Sequence, residues 1–316
     1  MTEVAVVGAG LMGHALALVF ALGGHQVRLT DTSAETLARA PGLMATALAT
    51  LVEAGEVDAS WDRQRLSAAV RCIPTLEQTV QGAAVVIEAI VEQPDAKRAA
   101  YQLLETLMEP DAILASNTSN LDIFPLLPAS LQRRAIIAHW YTPPYLCDLV
   151  DLCPGPETDP AAIATVRDMV RAMGKVPVVF KQMVQGYVAN RLQAAMQLEV
   201  YRLLDEGLVT PKDIDDSVLH GLALRVPILG IMAKADFTGL SLMQQGLKNR
   251  SYTPPEPHGH SATLDALIAQ GRTGVMSGKG YFDWGDRSPE ELFRERDRKL
   301  QALKQALRKI GPMEGT

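Results

Sequence analysis

Residues 4–13 read VAVVGAGLMG, an apolar run followed by glycines at positions 8, 10 and 13. The apolar run predicts a buried strand, and the pattern G-x-G-x-x-G directly after it predicts a tight turn into a helix. Glycines in such a turn let the backbone approach a pyrophosphate, which sits at the N-terminus of the helix. The stretch therefore predicts a dinucleotide-binding strand, turn and helix. The expected cofactor-binding residues in it are Gly8, Gly10, Leu11, Met12 and Gly13.

Asp31 ends the next predicted strand, 18 residues after Gly13. A carboxylate at this place accepts hydrogen bonds from the ribose hydroxyls of the adenosine, and it repels a 2′-phosphate. We therefore expect the cofactor to be NAD rather than NADP. The alternative is a glycine-rich turn that binds no nucleotide.

The chain has 316 residues, a length that corresponds to about two domains. Its 36 acidic and 30 basic residues give a net charge of −6, which disfavours nucleic acid and anionic membranes as partners. Residues 4–27 carry no formal charge and resemble a membrane span in length, but their glycines and changing period indicate a strand followed by a helix. The three cysteines fit no metal spacing, so we expect no bound metal. An odd and sparse set of cysteines is typical of a reducing compartment, and we expect the cytoplasm.

Short apolar runs alternate with helical stretches up to residue 180, and strand-like runs nearly vanish after residue 187. The predicted strands are residues 4–8, 26–30, 71–73, 84–88, 112–115, 135–138, 149–152 and 176–180. Such alternation predicts a mostly parallel sheet with helices on both faces. We therefore predict an α/β chain with a Rossmann-like, doubly wound domain over residues 1–184 and an all-α domain over residues 185–316.

Polar residues follow the later predicted strands, where the carboxyl edge of a parallel sheet faces a ligand crevice. Ser119 comes after the strand 112–115, His139 directly after 135–138, and Asp151 in the strand after that. A histidine with a carboxylate neighbour acts as a general base whose tautomer is fixed. From the pattern alone, a structural histidine remains the stronger interpretation.

Asn190 lies in the first turn of the helix that opens the second domain, within GYVANRL at residues 186–192. From there it is placed to reach towards the first domain. A helix-capping or surface asparagine is the alternative.

Several short motifs occur together in one order: VAVVGAGLMG, VIEAIVE, ASNTS, AHWYTPP followed by LVDL, GYVANRL, LLDEGLVTPKDID and SGKGYF. With these motifs, nearly the whole chain resembles the 3-hydroxyacyl-CoA dehydrogenase superfamily. The resemblance implies an NAD-dependent dehydrogenase that oxidises a secondary alcohol and forms a homodimer through its helical domain.

The resemblance also implies a role for each matching position. His139 is the general base on the substrate hydroxyl, and Asp151 stands where the family has a glutamate that orients the base. Ser119 and Asn190 bind the reacting oxygen. Outside the glycine turn and Asp31, the implied cofactor-binding residues are Glu92, Lys97, Ser119, Thr142 and Lys279. The alternative for the charged residues among these is a surface charge on a loop.

Two positions depart from the family pattern. Thr142 replaces an asparagine in the motif that begins at His139, and Asp151 is one methylene shorter than the family's glutamate, or about 1.5 Å. Either the backbone comes closer at this pair, or a water bridges it, or the histidine is less well activated.

The cations expected for a CoA thioester are scarce in the predicted helical excursion, residues 31–69. It contains no lysine, and its bases are Arg39, Arg63 and Arg65. A phosphorylated ADP needs such cations. The resemblance places Arg225 where CoA-using members of the family have a turn of the Gly-Tyr-Pro type. We expect the Arg225 guanidinium to bind a substrate carboxylate with two parallel hydrogen bonds. A surface arginine along a helix is the alternative.

In these regions the sequence resembles more the branches of the family that act on small carboxylates, which include L-gulonate 3-dehydrogenase (also known as lambda-crystallin), carnitine dehydrogenase and a dehydrogenase of pyridine carboxylates. We predict hydride transfer between a small 3-hydroxy acid and NAD. Two alternatives stay open. One is an L-3-hydroxyacyl-CoA dehydrogenase, and the other is an NAD-binding structural protein without turnover.

Overall fold

The computed structural model describes residues 2–250 and 252–313. The chain divides into two compact units, Met1–Tyr187 and Val188–Thr316. The predicted domain boundary at residues 184 and 185 lies close to this division.

The first unit contains an eight-stranded sheet in the order β3-β2-β1-β4-β5-β6-β7-β8. The strands are β1 (Glu3–Val7), β2 (Gln26–Thr30), β3 (Val70–Cys72), β4 (Val85–Glu88), β5 (Ile113–Ser116), β6 (Ala135–Trp140), β7 (Leu149–Pro154) and β8 (Val176–Val179). The helices of this unit are α1 (Gly13–Leu22), α2 (Ala34–Glu53), α3 (Arg63–Ala69), α4 (Leu76–Val80), α5 (Pro94–Leu107), α6 (Ala129–Gln132) and α7 (Pro160–Ala172), with a 3-10 turn at Phe124–Leu126. All neighbouring strands pair in parallel except β6 and β7. The prediction of a mostly parallel, Rossmann-like sheet is confirmed.

Alternate residues of the strands enter two separate hydrophobic cores, one on each face of the sheet. Val4, Val6 and Ile136 belong to one core, whereas Ala5 and Ile137 belong to the other. This alternation follows from the two-residue period of a strand, and burial on both faces explains why the strands read as unbroken apolar runs.

The uncharged stretch from Val4 to Val27 forms β1, α1 and the start of β2, as predicted. Every residue of α1 from Gly13 to Ala21 is buried in the first unit. Across residues 2–250 and 252–313, no single helix is long and apolar enough to cross a membrane. One bent pair, Pro211–Leu229 with Met232–Thr238, meets the length and composition criteria only when the two helices are taken together.

The second unit is helical, as predicted. Its helices are α8 (Ala189–Asp205), α9 (Pro211–Ser217), α10 (Ala223–Leu229), α11 (Met232–Thr238), α12 (Leu240–Lys248), α13 (Ala262–Ala269) and α14 (Pro289–Ile310). A π-helical turn, Val218–Leu222, joins α9 to α10, and a 3-10 turn covers Val275–Ser277.

Asp205, the last residue of α8, holds the beginning of α13. Its carboxylate accepts hydrogen bonds from the Ser261 hydroxyl (2.8 Å) and from the backbone N–H groups of Ala262 (3.1 Å) and Thr263 (2.8 Å). These donors, the Thr263 N–H first among them, lower the pKa of Asp205 from 3.8 to about 2. A carboxylate at the N-terminus of a helix also interacts favourably with the helix dipole.

We expect Asp205→Asn to lower the thermal unfolding midpoint at neutral pH. Because the folded-state pKa of Asp205 lies below its unfolded value, the stability it contributes is complete above about pH 4 and is lost as the pH falls towards 2. Thermal melts followed by circular dichroism from pH 7 to pH 2 measure the difference in unfolding midpoint between the two proteins. The exposed Asp286→Asn is the control, and a difference that stayed constant down to pH 2 would contradict the linkage.

Candidate active site

The glycine turn between β1 and α1 is closely packed at two of its three glycines. Gly8 has a φ of +99°, and a Cβ there would lie 2.5 Å from the Ala89 carbonyl oxygen. A Cβ on Gly13 would lie 1.7 Å from the Gly8 carbonyl oxygen, whereas one on Gly10 would meet nothing within 4 Å. Gly8 and Gly13 are therefore required by the fold, and Gly10 leaves open space beside the N-terminus of α1, as a bound pyrophosphate requires.

Asp31 joins the end of β2 to the glycine turn. Its Oδ2 accepts a hydrogen bond from the Ala9 N–H at 2.7 Å, and its Oδ1 accepts one from the Ser33 N–H at 2.8 Å. The carboxylate therefore lies beside the turn, where the sequence predicts contact with the ribose.

His139 and Asp151 lie directly opposite each other in the antiparallel pair β6–β7. Both are buried, with 4% and 1% of their surfaces exposed. The distance from His139 Nδ1 to Asp151 Oδ2 is 3.9 Å, which is too long for a hydrogen bond. Among the residues that the structure describes, Nδ1 has no hydrogen-bond partner. The structure thus brings the predicted base and its carboxylate together, but not into direct hydrogen-bonding contact.

His139 is the last residue but one of β6, which is parallel to β5, so it lies at the carboxyl edge of the parallel strands as predicted. Placing Asp151 at the carboxyl end of a parallel strand was wrong, because it is the third residue of β7, which runs opposite to β6. Only eight residues separate the two strands, Tyr141 to Asp148. A parallel pair needs a crossover of a dozen or more residues, so this connection permits only an antiparallel return.

Two tyrosines hold the His139 ring. Tyr187 stacks on it with a centroid distance of 4.5 Å and an interplanar angle of 23°, and Tyr141 packs edge-on at 4.6 Å and 78°. The Tyr141 hydroxyl donates a 2.7 Å hydrogen bond to Asp151 Oδ2. Tyr187 is fully buried, and its hydroxyl donates to the Thr118 carbonyl at 2.7 Å. Burial, and then the hydrogen bond to Asp151, raises the pKa of Tyr141, so the phenol stays protonated.

Ser119 lies in the loop after β5, and Glu92 fixes that loop. One oxygen of Glu92 accepts hydrogen bonds from the Thr118 hydroxyl (2.7 Å) and from the backbone N–H groups of Ser119 (2.8 Å) and Asn120 (2.9 Å). Burial opposes ionisation of Glu92, but these donors together with Lys97 outweigh it and lower its pKa below the ordinary value of 4.5.

Lys97 is 1% exposed and lies in α5, so the alternative of a surface charge on a loop is wrong for this residue. Its Nζ lies 2.7 Å from Glu88 Oε1 and 3.4 Å from Glu92 Oε2. The fully buried Glu88 also accepts hydrogen bonds from the hydroxyls of Tyr101 (2.7 Å) and Ser116 (2.6 Å). Lys97 therefore connects a buried polar network at the ends of β4 and β5 to the loop that carries Ser119. Its predicted contact with NAD stays a prediction.

Thr142 contacts the glycine turn. Its hydroxyl lies 3.1 Å from the Met12 sulfur, an arrangement in which the hydroxyl donates. The loop after β6 therefore adjoins the expected cofactor position.

The remaining predicted residues belong to the second unit. Asn190 is the second residue of α8 and is half-buried. Arg225 is exposed in α10, where its Nε donates to the Gly221 carbonyl oxygen at 3.2 Å, and Lys279 pairs with Asp283 at 2.9 Å. The Arg225 segment is helical. The roles of these three residues stay predictions.

Sequence reasoning missed Tyr141, Tyr187 and the Glu88 network. Tyr141 follows His139 by two residues, a spacing that places both side chains on one face of an extended chain, so the two-residue period was a usable signal. Tyr187 has a φ of +50°, which nothing in the sequence around it indicates.

The comparisons with known proteins cover both units. Residues 3–183 match the family described as 3-hydroxyacyl-CoA dehydrogenase, NAD binding domain, and residues 186–284 match the family described as 3-hydroxyacyl-CoA dehydrogenase, C-terminal domain. A 5-formyl-3-hydroxy-2-methylpyridine 4-carboxylate 5-dehydrogenase of Mesorhizobium japonicum is 31% identical and aligns over 96% of this chain and 98% of its own length.

An L-carnitine dehydrogenase of Streptomyces coelicolor is 30% identical over 99% of this chain and 96% of its own length. Among solved structures, a 5-formyl-3-hydroxy-2-methylpyridine 4-carboxylic acid 5-dehydrogenase, described as an NAD+-dependent dismutase, superposes with a TM-score of 0.86 at 29% identity, covering 99% of this chain and 100% of the other. The glycine turn, the paired strands that carry His139 and Asp151, and these matches over both units show that the chain belongs to the 3-hydroxyacyl-CoA dehydrogenase family of NAD-dependent dehydrogenases.

Proposed function

We propose that this dehydrogenase transfers a hydride between the secondary alcohol of a small 3-hydroxy acid and NAD. The observation that carries the proposal is the buried His139 beside Asp151 on the same sheet as a glycine turn with open space at Gly10. When bound, NAD supplies the hydride acceptor in the oxidative direction. The alcohol becomes a ketone, its carbon-bound hydrogen leaves as hydride, and its hydroxyl proton goes to the protein.

His139 takes the hydroxyl proton of the substrate in the oxidative direction and returns it in the reductive direction. Asp151 stabilises the positively charged imidazole because its carboxylate charge lies 3.9 Å from Nδ1. Ser119, held by Glu92, and Asn190 would hydrogen-bond the reacting oxygen. Glu92, Lys97, Thr142 and Lys279 would line the cofactor.

The segment of α2 and α3 offers few cations for the phosphates of a CoA thioester, which favours a free acid as the substrate. Of its three arginines, Arg65 is already engaged, since its guanidinium lies 4.3 Å from the Trp61 ring centroid and donates to the Ser60 hydroxyl at 2.6 Å. The names of the two relatives refer to carboxylate-bearing compounds, a pyridine carboxylate and carnitine.

We infer that Arg225, which is exposed on α10, binds the substrate carboxylate.

A CoA ester is the second candidate because of one cavity in the first unit. Residues of α2, α3 and β3 surround a volume of about 530 Å³, and Arg63 and Arg71 are part of its lining. Two guanidinium groups at one cavity are suited to a phosphate.

Initial rates of NADH formation distinguish a free hydroxy acid from a CoA ester as the substrate. They are measured in parallel with L-gulonate, L-carnitine and L-3-hydroxybutyryl-CoA. We expect turnover on a free acid and an increase in its KM, by about tenfold or more, in Arg225→Met. Arg63→Met, in the cavity, is the matched control and should leave KM for the acid unchanged. Turnover on the CoA ester alone, lost in Arg63→Met, would overturn the proposal in favour of the second candidate.

We expect the protein to prefer NADH over NADPH by about 10²-fold or more, because a 2′-phosphate bound next to the Asp31 carboxylate would be repelled by it. Asp31→Asn should weaken NADH binding and reduce the preference below tenfold. Quenching of nicotinamide fluorescence gives both dissociation constants without any substrate. Glu35→Gln, at the exposed start of α2, is the control, and equal affinity of the unaltered protein for both cofactors would contradict the assignment of Asp31.

We further propose a cytoplasmic homodimer that forms through the second unit. Helices α8, α9, α10 and α12 contribute no buried residue. The large exposed apolar side chains of this unit include Leu219, Leu224, Met232, Phe237, Leu240 and Leu247, each more than 60% exposed. Unpaired apolar surface of this extent indicates an interface, and a second copy related by two-fold symmetry is the simplest partner.

Sedimentation equilibrium at micromolar concentration should give twice the chain mass of 34.2 kDa. Phe237→Asp should shift the protein towards monomer, whereas Leu103→Asp, at an exposed apolar position of the first unit, should not. A monomer in the unaltered protein would contradict the dimer.

A further inference from the structure

We propose that Tyr141 is the positioning residue of the His139–Asp151 pair. In this arrangement its hydroxyl holds the carboxylate, and its ring, together with that of Tyr187, holds the imidazole. The inference rests on the proposed role of His139 as the base, and it assigns the positioning of that base to an aromatic pair rather than to a carboxylate hydrogen bond.

The Asp151 carboxylate is closer to the Tyr141 hydroxyl than to the His139 imidazole. Its Oδ2 lies 2.7 Å from the Tyr141 hydroxyl and 3.9 Å from His139 Nδ1. Nδ1 is buried and has no hydrogen-bond partner within residues 2–250 and 252–313. The carboxylate therefore binds the phenol and acts on the imidazole only through its charge.

The rings of Tyr141 and Tyr187 pack against the His139 imidazole. An imidazole without a hydrogen bond at Nδ1 is free to rotate about its side-chain bonds unless packing prevents it. Tyr187 stacks on one face of the His139 ring, and Tyr141 contacts it edge-on, with both centroid distances below 5 Å. Tyr187 is itself fixed by its hydrogen bond to the Thr118 carbonyl and by complete burial. The two tyrosines thus restrict the imidazole.

The buried Asp151 carboxylate needs a hydrogen-bond donor. A carboxylate that is 1% exposed is costly without a donor, and the Tyr141 hydroxyl supplies one. Glutamate would extend the side chain by about 1.5 Å, enough to bring its carboxylate within hydrogen-bond reach of Nδ1. The aspartate and the tyrosine hydroxyl therefore depend on each other at this site.

The test compares Tyr141→Phe, Asp151→Glu and the double variant with the unaltered protein, using the acid that it turns over best. Tyr141→Phe should lower kcat by about 10- to 100-fold, the loss expected for one hydrogen bond to a buried charge, and leave KM within about twofold. In the Asp151→Glu background, the same change should cost less than about threefold, because the longer carboxylate reaches His139 directly. Tyr252→Phe, which also removes a hydroxyl that donates to a carboxylate, Glu199, is the matched control.

A merely structural role for Tyr141 predicts equal losses in both backgrounds, and that result would overturn the proposal. A second readout needs no turnover. In proton NMR of protein with 15N-labelled histidine, Asp151→Glu should gain a strongly downfield Nδ1 proton that disappears in the His139→Ala background. The same signal in the unaltered protein would show a direct His139–Asp151 hydrogen bond and would also overturn the proposal. Absence of turnover on every substrate, with this NMR result intact, would count against the proposed function alone.

Discussion

His139→Ala is expected to lower kcat by about 10²- to 10⁴-fold on the free acid that the unaltered protein oxidises, with the affinity for NADH unchanged within about twofold. The alanine has no group to receive the hydroxyl proton of the substrate. His139 lies on β6, and its ring contacts Tyr141 and Tyr187, neither of which belongs to the glycine turn, so we expect its loss to leave cofactor binding intact. Initial rates of NADH formation and fluorescence titration with NADH measure the two effects separately.

His25→Ala is the matched control for this prediction. His25 immediately precedes β2 and therefore lies at the amino edge of the parallel strands, opposite the edge that carries the glycine turn. The His25→Ala protein should retain nearly full activity. A His139→Ala protein that kept more than a tenth of the kcat would show that another group takes the proton.

Gly13→Ala is expected to abolish NADH binding and to lower the thermal unfolding midpoint of the protein. The added Cβ would lie 1.7 Å from the Gly8 carbonyl oxygen, a separation at which the backbone of the turn has to move. Because α1 is buried from Gly13 to Ala21, a displaced helix N-terminus also disturbs the core beneath it. Titration with NADH and thermal melts record the two losses.

Gly10→Ala separates folding from binding in the same turn. A Cβ at Gly10 meets no protein atom within 4 Å, so we expect the stability to stay within about 0.5 kcal/mol of the unaltered protein. NADH affinity should nevertheless fall more than tenfold if the pyrophosphate occupies the space beside Gly10. Unchanged affinity would place the cofactor elsewhere, and a stable Gly13→Ala protein that binds NADH would contradict the required packing.

The nucleotide-binding half was predictable because its signals are local. The glycine turn, the apolar run before it and Asp31 lie within 28 residues, and each has one physical interpretation. The two-faced burial of the strands likewise follows from their unbroken apolar composition.

The catalytic pair was predictable only by residue type, because its geometry depends on side-chain length and on strand direction. The sequence shows that Asp151 is short, but it leaves open a closer backbone, a bridging water or a weakly activated histidine. The structure adds a fourth arrangement, in which the Tyr141 hydroxyl binds the carboxylate. Long-range contacts such as that of Tyr187 with His139, 48 residues apart in the chain, have no local signature.

The antiparallel return from β6 to β7 brings the expected base and its carboxylate together within 13 residues of chain, His139 to Asp151. The backbone ladder between the strands sets where His139 and Asp151 stand, and Tyr141, which leads into the connecting loop, contacts both side chains. That loop, residues 142–148, is anchored through its carbonyl groups, since Lys175 donates to the backbone oxygens of Pro144 and Cys147. The Asp148 carboxylate also pairs with Lys175 at 3.1 Å, and Leu146 is buried in a core of the first unit. Backbone and side chains together therefore give the loop one shape, and a substitution that loosened it would move Tyr141 and the catalytic pair as well.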